Sequence, residues 1–180
     1  MNIIIFDDHH AIANTLSEYF KNAPGCEVIG TFTKSVDILI FLKTHPTDII
    51  ITDLLTDEEL GTDLITSLRK VAPKSLIVVY SAVTLEIIKE CCREAGADLC
   101  ISKSSRLPIL HEEILNLVAR KKIETEITYK QKPSKKSLTS KERIIIECMI
   151  NGMSSPEIAE KLGLSHNTIN NQKNHMIKKF

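Results

Sequence analysis

Asp53 closes the run Asp48-Ile-Ile-Ile-Thr-Asp53, and the adjacent acids Asp7-Asp8 close a matching run, Asn2-Ile-Ile-Ile-Phe6. Two later apolar runs end near Ser81 and Lys103. A hard divalent cation such as Mg²⁺ takes carboxylate oxygens at short range and keeps several waters. Asp8 and Asp53 can each offer one oxygen, and a backbone carbonyl just after Asp53 can offer another. Asp7 would orient a bound water or sit just behind. Phosphoryl transfer needs one carboxylate as nucleophile and positive charge for the oxygens that gain negative charge. Asp53 is the candidate nucleophile, Lys103 and the metal supply charge, and the Ser81 hydroxyl can donate to a phosphate. Taken singly, an acid pair after a strand is as often a solvated loop, and a lone lysine a surface cation. Joint placement at four strand ends is what carries the reading.

The elements that must position these groups alternate along residues 1–120. Short β-branched runs at 2–6, 26–31, 48–52, 76–80 and 99–102 read as strands. Helical spacing is expected at 10–21, 34–44, 61–71, 84–95 and 107–119, with Pro24-Gly25, Pro46, Pro73 and Gly96 between units. Such alternation predicts an α/β fold: a doubly wound, flavodoxin-like parallel sheet of order 2-1-3-4-5. A four-stranded or Rossmann-order sheet is compatible with the same periodicity. In a parallel sheet the carboxyl ends of strands meet at one rim, where ligands bind.

Residues 121–137 are polar and lysine-rich and contain Pro133, which predicts a flexible linker. Residues 138–180 predict a small all-α helix-turn-helix domain. Thr139 or Ser140 caps a helix to about Asn151, stopped by Gly152. Ser154 or Ser155, with Pro156 in the first turn, starts a second helix to Leu162. After Gly163-Leu164-Ser165, a helix capped by Ser165 or Asn167 runs to Phe180. In it Ile169, Met176, Ile177 and Phe180 are placed toward a core. Asn167, Asn170, Asn171, Asn174 and Lys178 occupy the other faces. Asn and Gln pair bidentately with adenine in the major groove, and lysines neutralise phosphates. The amides cluster where helix propensity would not select them.

Charge follows the same division. Residues 1–120 hold 17 acids and 11 bases, net −6, whereas residues 121–180 hold 6 acids and 12 bases, net +6. The apolar runs are too short to span a bilayer, and no basic leader precedes the first strand. Five cysteines without a CxxC pair fit reduced thiols in a cytoplasmic protein. His9-His10 invites a transition-metal reading, but adjacent side chains diverge, and a role at a helix start is favoured.

Residues 2–119 resemble the receiver domains of bacterial two-component response regulators. Asp7-Asp8, Asp53, Ser81-Ala82 and Lys103 fall in order on that family's acid pair, phosphoacceptor, Ser/Thr and Lys, and Gly61 matches a family glycine. The resemblance implies that Asp8, Asp53 and the Leu55 carbonyl coordinate Mg²⁺ with help from Asp7. The chain departs from the family at Thr56-Asp57, where Met-Pro is usual, and at Cys100, where a switch aromatic is usual. Leu55 and Val83 occupy positions that hold an attacking water when polar. Being apolar, they predict a slowly hydrolysing phosphoaspartate, and decay within seconds would refute this.

The C-terminal segment resembles the LuxR/NarL-type helix-turn-helix through Leu138-Thr139-Ser140-Lys141-Glu142, Gly152-Met153-Ser154, Glu157-Ile158-Ala159, Leu164-Ser165 and Thr168-Ile169. The resemblance places Asn170, Asn171 and Asn174 at base-reading positions and Lys178 and Lys179 near the backbone. Asn167 and Thr168 open the same helix, and Lys173 stands where an apolar residue is common. Its stem is expected to cover the core while its ammonium reaches solvent. The family domain continues into a fourth helix, often a dimer contact, whereas this sequence stops at Phe180. The expectation is a NarL-type response regulator, a phosphoacceptor rather than an enzyme, assisting its own phosphorylation and dephosphorylation. Its implied partners are a sensor histidine kinase, promoter DNA and, through some surface, a second copy of itself. Three rival readings are a regulator acting without phosphorylation, a Mg²⁺-dependent phosphohydrolase and a protein-interaction module.

Overall fold

The computed structural model describes residues 1–54, 61–82, 85–126 and 139–179, excepting the side chains of 123–126, 140, 178 and 179. The apolar β-branched runs form five parallel strands: β1 (Asn2–Phe6), β2 (Glu27–Phe32), β3 (Ile49–Thr52), β4 (Leu76–Ser81) and β5 (Leu99–Ser102). Their order is β2-β1-β3-β4-β5, as the doubly wound reading requires. In a strand successive side chains point to opposite faces. Ile3, Ile5, Ile49, Ile51, Val78 and Tyr80 face one way, and Ile4, Phe6, Ile50, Ile77 and Val79 the other. Both faces are buried, which is why these runs read as continuously apolar.

Helices α1 (His10–Lys21) and α5 (Leu107–Glu126) cover the first face, through Leu16, Phe20, Leu110, Ile114 and Leu117. Helices α2 (Ser35–Phe41), α3 (Gly61–Val71) and α4 (Glu86–Ala95) cover the second. Gly96 ends α4 at φ +116, a left-handed value that suits glycine. Arg69 of α3 fastens this corner: its guanidinium donates to the carbonyls of Gly96 and Ser75 and pairs with Asp98 at 2.6 Å.

Two helix ends depart from the sequence reading. The expected end of α5 at 119 is too early, since the helix continues to Glu126 and includes the first six residues of the expected linker. Polarity alone does not break a helix: Lys121-Lys122-Ile-Glu-Thr-Glu126 contains no Gly or Pro and is composed largely of good helix formers. Lys121 also reaches Asp98 at 3.5 Å. Helix α2 stops at Phe41 rather than 44, where the Thr44 hydroxyl and the His45 ring both bond the Phe41 carbonyl. The rest of the expected linker, 127–137, lies outside the described residues.

The C-terminal helices are α6 (Ser140–Ile150), α7 (Ser155–Leu162) and α8 (His166–Lys179). Thr139 caps α6 reciprocally: Thr139 Oγ1 accepts from the Glu142 N–H at 3.3 Å, and Glu142 Oε2 accepts from the Thr139 N–H at 2.7 Å. Ser165 caps α8 by accepting the Thr168 N–H at 3.1 Å. Three short helices make a small core on their own. Here Ile145, Ile146, Ile158, Ile169 and Met176 belong to one apolar cluster with residues of α3 and α4. Arg143 of α6 pairs with Glu94 of α4 at 3.0 Å, so the basic segment is docked on the sheet domain.

Candidate functional site

Parallel pairing delivers the chemistry-bearing residues to one rim. Asp7 follows β1, Asp53 follows β3, Ser81 ends β4 and Lys103 follows β5. Register is fixed by backbone bonds: the Asp53 N–H donates to the Phe6 carbonyl at 2.9 Å, and the Lys103 N–H to the Ser81 carbonyl at 2.8 Å. The Lys103 ammonium then bridges two carboxylates, Asp53 Oδ2 at 2.6 Å and Asp7 Oδ2 at 2.7 Å. Asp7 is 1% exposed and Asp53 3%. Ionised carboxylates this deep need such a partner. The second Asp53 oxygen, Oδ1, accepts the Leu54 N–H at 2.6 Å. Tyr80 braces the lysine segment from the opposite face, its hydroxyl donating to the Lys103 and Ser105 carbonyls. Ser81 is buried at the same rim.

The electrostatics follow from this packing. Burial pushes the Asp7 carboxyl above the usual carboxylate range, against the lowering effect of Lys103, and the Asp53 charge adds to the rise. Burial works against the Lys103 charge, but its hydrogen bonds to Asp53 and Asp7 prevail and hold its pKa above the ordinary lysine value.

Asp7, Asp8, His9 and Asp53 bring one candidate ligand atom each within 4.8 Å of one another. Three hard carboxylates fit a divalent cation with oxygen preference. His9 is the member that sequence reasoning set aside. It holds the N-cap position of α1, as the helix-start reading expects, yet its Nδ1 also lies 2.8 Å from Asp8 Oδ1. That hydrogen bond raises the His9 pKa. An Asp-Asp-His run after a strand was the available signal. The Leu55 carbonyl, Thr56, Asp57 and Val83 lie outside the described residues.

At the basic end, Asn167, Asn171 and Asn174 are exposed along α8, with Thr168 and Asn170 half-buried. Ile169 and Met176 are buried as expected, but Ile177 is 54% exposed. Ile177 follows Met176 directly, and consecutive helical side chains diverge by about 100°. Lys173 also differs from expectation: its ammonium donates to Ser155 Oγ at 3.0 Å, within the domain. The side chains of Lys178 and Lys179, and Phe180, lie outside the described residues.

Between α3, α4 and α6 lies a cavity of about 160 Å³ lined by Asp63, Cys91, Glu94, Arg143 and Glu147 among others. Burial raises the Glu147 pKa, the Asp63 charge adds to this, and Arg143 and Lys161 oppose it. A carboxyl with a raised pKa in the docked arrangement binds more protons there than when released. Docking should therefore strengthen as pH falls through that raised value and weaken toward neutrality. Hydrogen exchange on α6 between mildly acidic and neutral pH checks this. Glu147→Gln should flatten the dependence.

Comparison with known proteins agrees with this architecture. Residues 3–115 match the response regulator receiver domain, and residues 136–180 match the bacterial regulatory proteins of the luxR family. The chain belongs to the two-component response regulators that join a receiver domain to a LuxR-type DNA-binding domain. It is 26% identical over 192 residues to the DNA-binding transcriptional activator EvgA of Escherichia coli K12, covering 100% of this chain and 91% of EvgA. It is 25% identical over 186 residues to the response regulator protein VraR of Staphylococcus epidermidis RP62A, covering 98% and 87%. Its fold is shared with RcsB of Salmonella enterica serovar Typhimurium, solved bound to the promoter rprA with the phosphomimetic BeF3−. The TM-score is 0.66 at 24% identity, covering 99% and 91% of the two chains. A Burkholderia pseudomallei response regulator solved with a phosphorylated aspartic acid and a calcium ion gives a TM-score of 0.56 at 22% identity, covering 94% and 96%.

Proposed function

We propose that Asp53 accepts the phosphoryl group from a sensor histidine kinase and that this gates promoter binding by α8. The observation that carries the reading is the single lysine, Lys103, shared by two buried carboxylates from different strands. An Asp53 oxygen attacks phosphorus while the bond to the donor nitrogen breaks and the donor keeps that electron pair. Lys103 exchanges its Asp53 contact for a phosphoryl oxygen, and the Ser81 hydroxyl donates to another. Asp7, Asp8 and Asp53, with the Leu55 carbonyl, would hold Mg²⁺, which supplies charge neutralisation for the incoming phosphoryl oxygens. Residues 1–120 form the receiver and 138–180 the DNA-binding unit. The free thiols and the DNA partner suit a cytoplasmic setting, and no helix among the described residues is long and apolar enough to cross a membrane. A second copy of the chain would serve binding to paired half-sites.

In this account Asn167, Thr168, Asn170, Asn171 and Asn174 read base edges, and Lys178 and Lys179 meet phosphates. Lys173 is a phosphate ligand only if it leaves Ser155. The test uses DNA selected from a random library by the phosphorylated chain and followed by fluorescence anisotropy. Asn171→Ala and Asn174→Ala should each cost about 1–3 kcal/mol on the selected site. Lys179→Ala should weaken all sequences alike and reduce the salt dependence. Equal, sequence-independent losses from the asparagine variants would remove α8 from base reading. Binding unchanged by phosphorylation would favour a regulator that acts without it.

A further inference from the structure

His9 lies on the solvent side of the acidic rim, its side chain 68% exposed, and it adds a nitrogen donor to a set otherwise made of carboxylates. Its place is fixed by the start of α1. As the N-cap residue it donates its backbone N–H to Asp7 Oδ1 at 3.0 Å, and its side chain makes no capping bond. The helix start therefore makes no use of the ring. Nδ1 stands 2.8 Å from Asp8 Oδ1 and 3.6 Å from Asp7 Oδ1. Neighbouring donors in an octahedral shell, each about 2.1 Å from the ion, lie about 3 Å apart, and opposite donors about 4.2 Å. The observed separations, and the 4.8 Å within which all four ligand atoms fall, are of that size. Lys103 holds Oδ2 of Asp7 and of Asp53, so Oδ1 is the Asp7 atom on the His9 side.

We infer that His9 Nδ1 is a metal ligand and that it turns the rim toward first-row transition dications, from Fe²⁺ to Zn²⁺, in preference to Mg²⁺. The inference rests on the metal role proposed above for Asp7, Asp8 and Asp53. Mg²⁺ is a hard ion that prefers oxygen and gives up its waters reluctantly, so an imidazole adds little to its binding. Transition dications accept imidazole nitrogen readily, and their affinity for such mixed sites climbs from Mn²⁺ through Co²⁺ to Ni²⁺. A carboxylate can only accept a hydrogen bond, so Nδ1 carries the hydrogen that it shares with Asp8. The ion takes that hydrogen's place, the proton passes to solvent, and His9 and Asp8 become neighbours in one shell. Three carboxylates facing one ammonium favour a dication of either kind. The nitrogen decides between them.

The test titrates the full chain with Co²⁺, Ni²⁺ and Mg²⁺ in turn, by calorimetry in weakly alkaline buffer, on wild type, His9→Ala and Asp53→Asn. The absorption spectrum of bound Co²⁺ is recorded alongside, because it reports the donor set. His9→Ala keeps the backbone N–H bond to Asp7 and removes no side-chain cap, so the fold is retained. Losing even an outer partner of a ligand costs about 10–100-fold in metal affinity, so the variant should bind Co²⁺ and Ni²⁺ about 10-fold or more weakly. Its Co²⁺ spectrum should change, while its Mg²⁺ affinity stays within about twofold. Asp53→Asn should weaken all three ions, which separates this site from the other histidines. Equal losses of Mg²⁺ and Co²⁺ in His9→Ala would show that the ring only positions Asp8, and unchanged Co²⁺ binding that it is no ligand. Either result overturns the inference while leaving the rim its Mg²⁺. A wild type that binds none of the three ions overturns the metal role of the rim as well.

Discussion

Replacing Lys103 with alanine should destabilise the sheet domain by about 3 kcal/mol in the absence of divalent cations. The reason is geometric. One ammonium serves Asp53 at 2.6 Å and Asp7 at 2.7 Å, and both acids are almost wholly buried. Without it, two carboxylates that already repel one another are left in a medium that solvates them poorly. Such a loss exceeds that of a surface ion pair, for which 0–1 kcal/mol is usual. Excess Mg²⁺ should then recover more stability in the alanine variant than in the wild type, because cation binding neutralises the same charges. Urea unfolding with EDTA and with Mg²⁺, on both proteins, reads this directly. Equal stability of the two proteins in EDTA would show that the acids do not depend on the shared lysine.

The second large effect is expected at Gly61, the first residue of α3. A Cβ built there would lie 2.0 Å from the Leu54 carbonyl oxygen and 2.6 Å from its Cδ1. Backbone, not a flexible side-chain tip, would have to give way. Leu54 carries the N–H that holds Asp53 Oδ1, so Gly61→Ala moves the acceptor as well as straining the chain. Overpacking of this kind costs about 1–3 kcal/mol. Misplacing a reacting carboxylate lowers a transfer rate by on the order of 10–100-fold. The variant should therefore lose both stability and the rate of acetyl phosphate-driven labelling. A variant that folds with wild-type labelling kinetics would show that the Asp53 position tolerates movement of Leu54.

The sheet and its rim were legible because their signals are local and repeated. Four of the five short β-branched runs ended beside a chemically distinctive residue, and parallel pairing converts that list into one site. The caps were legible for the same reason, as Thr139 with Glu142 shows. What escaped was set by distant partners. Nothing near Arg143 announces Glu94, and nothing near Lys173 announces Ser155. The reach of α5 past residue 119 was hidden because a polar lysine-rich stretch serves equally as a linker or as the exposed turns of a helix. His9 was set aside on the argument that adjacent histidines diverge. That argument holds for the pair and says nothing about His9 with the acids beside it.

The most direct test of the central claim is intact-mass analysis after incubation with Mg²⁺ and acetyl phosphate or phosphoramidate, on wild type and Asp53→Asn. The account predicts one base-labile phosphoryl adduct on the wild type and none on the variant. A folded, Mg²⁺-binding wild type that takes no adduct, or an adduct retained in Asp53→Asn, would contradict it.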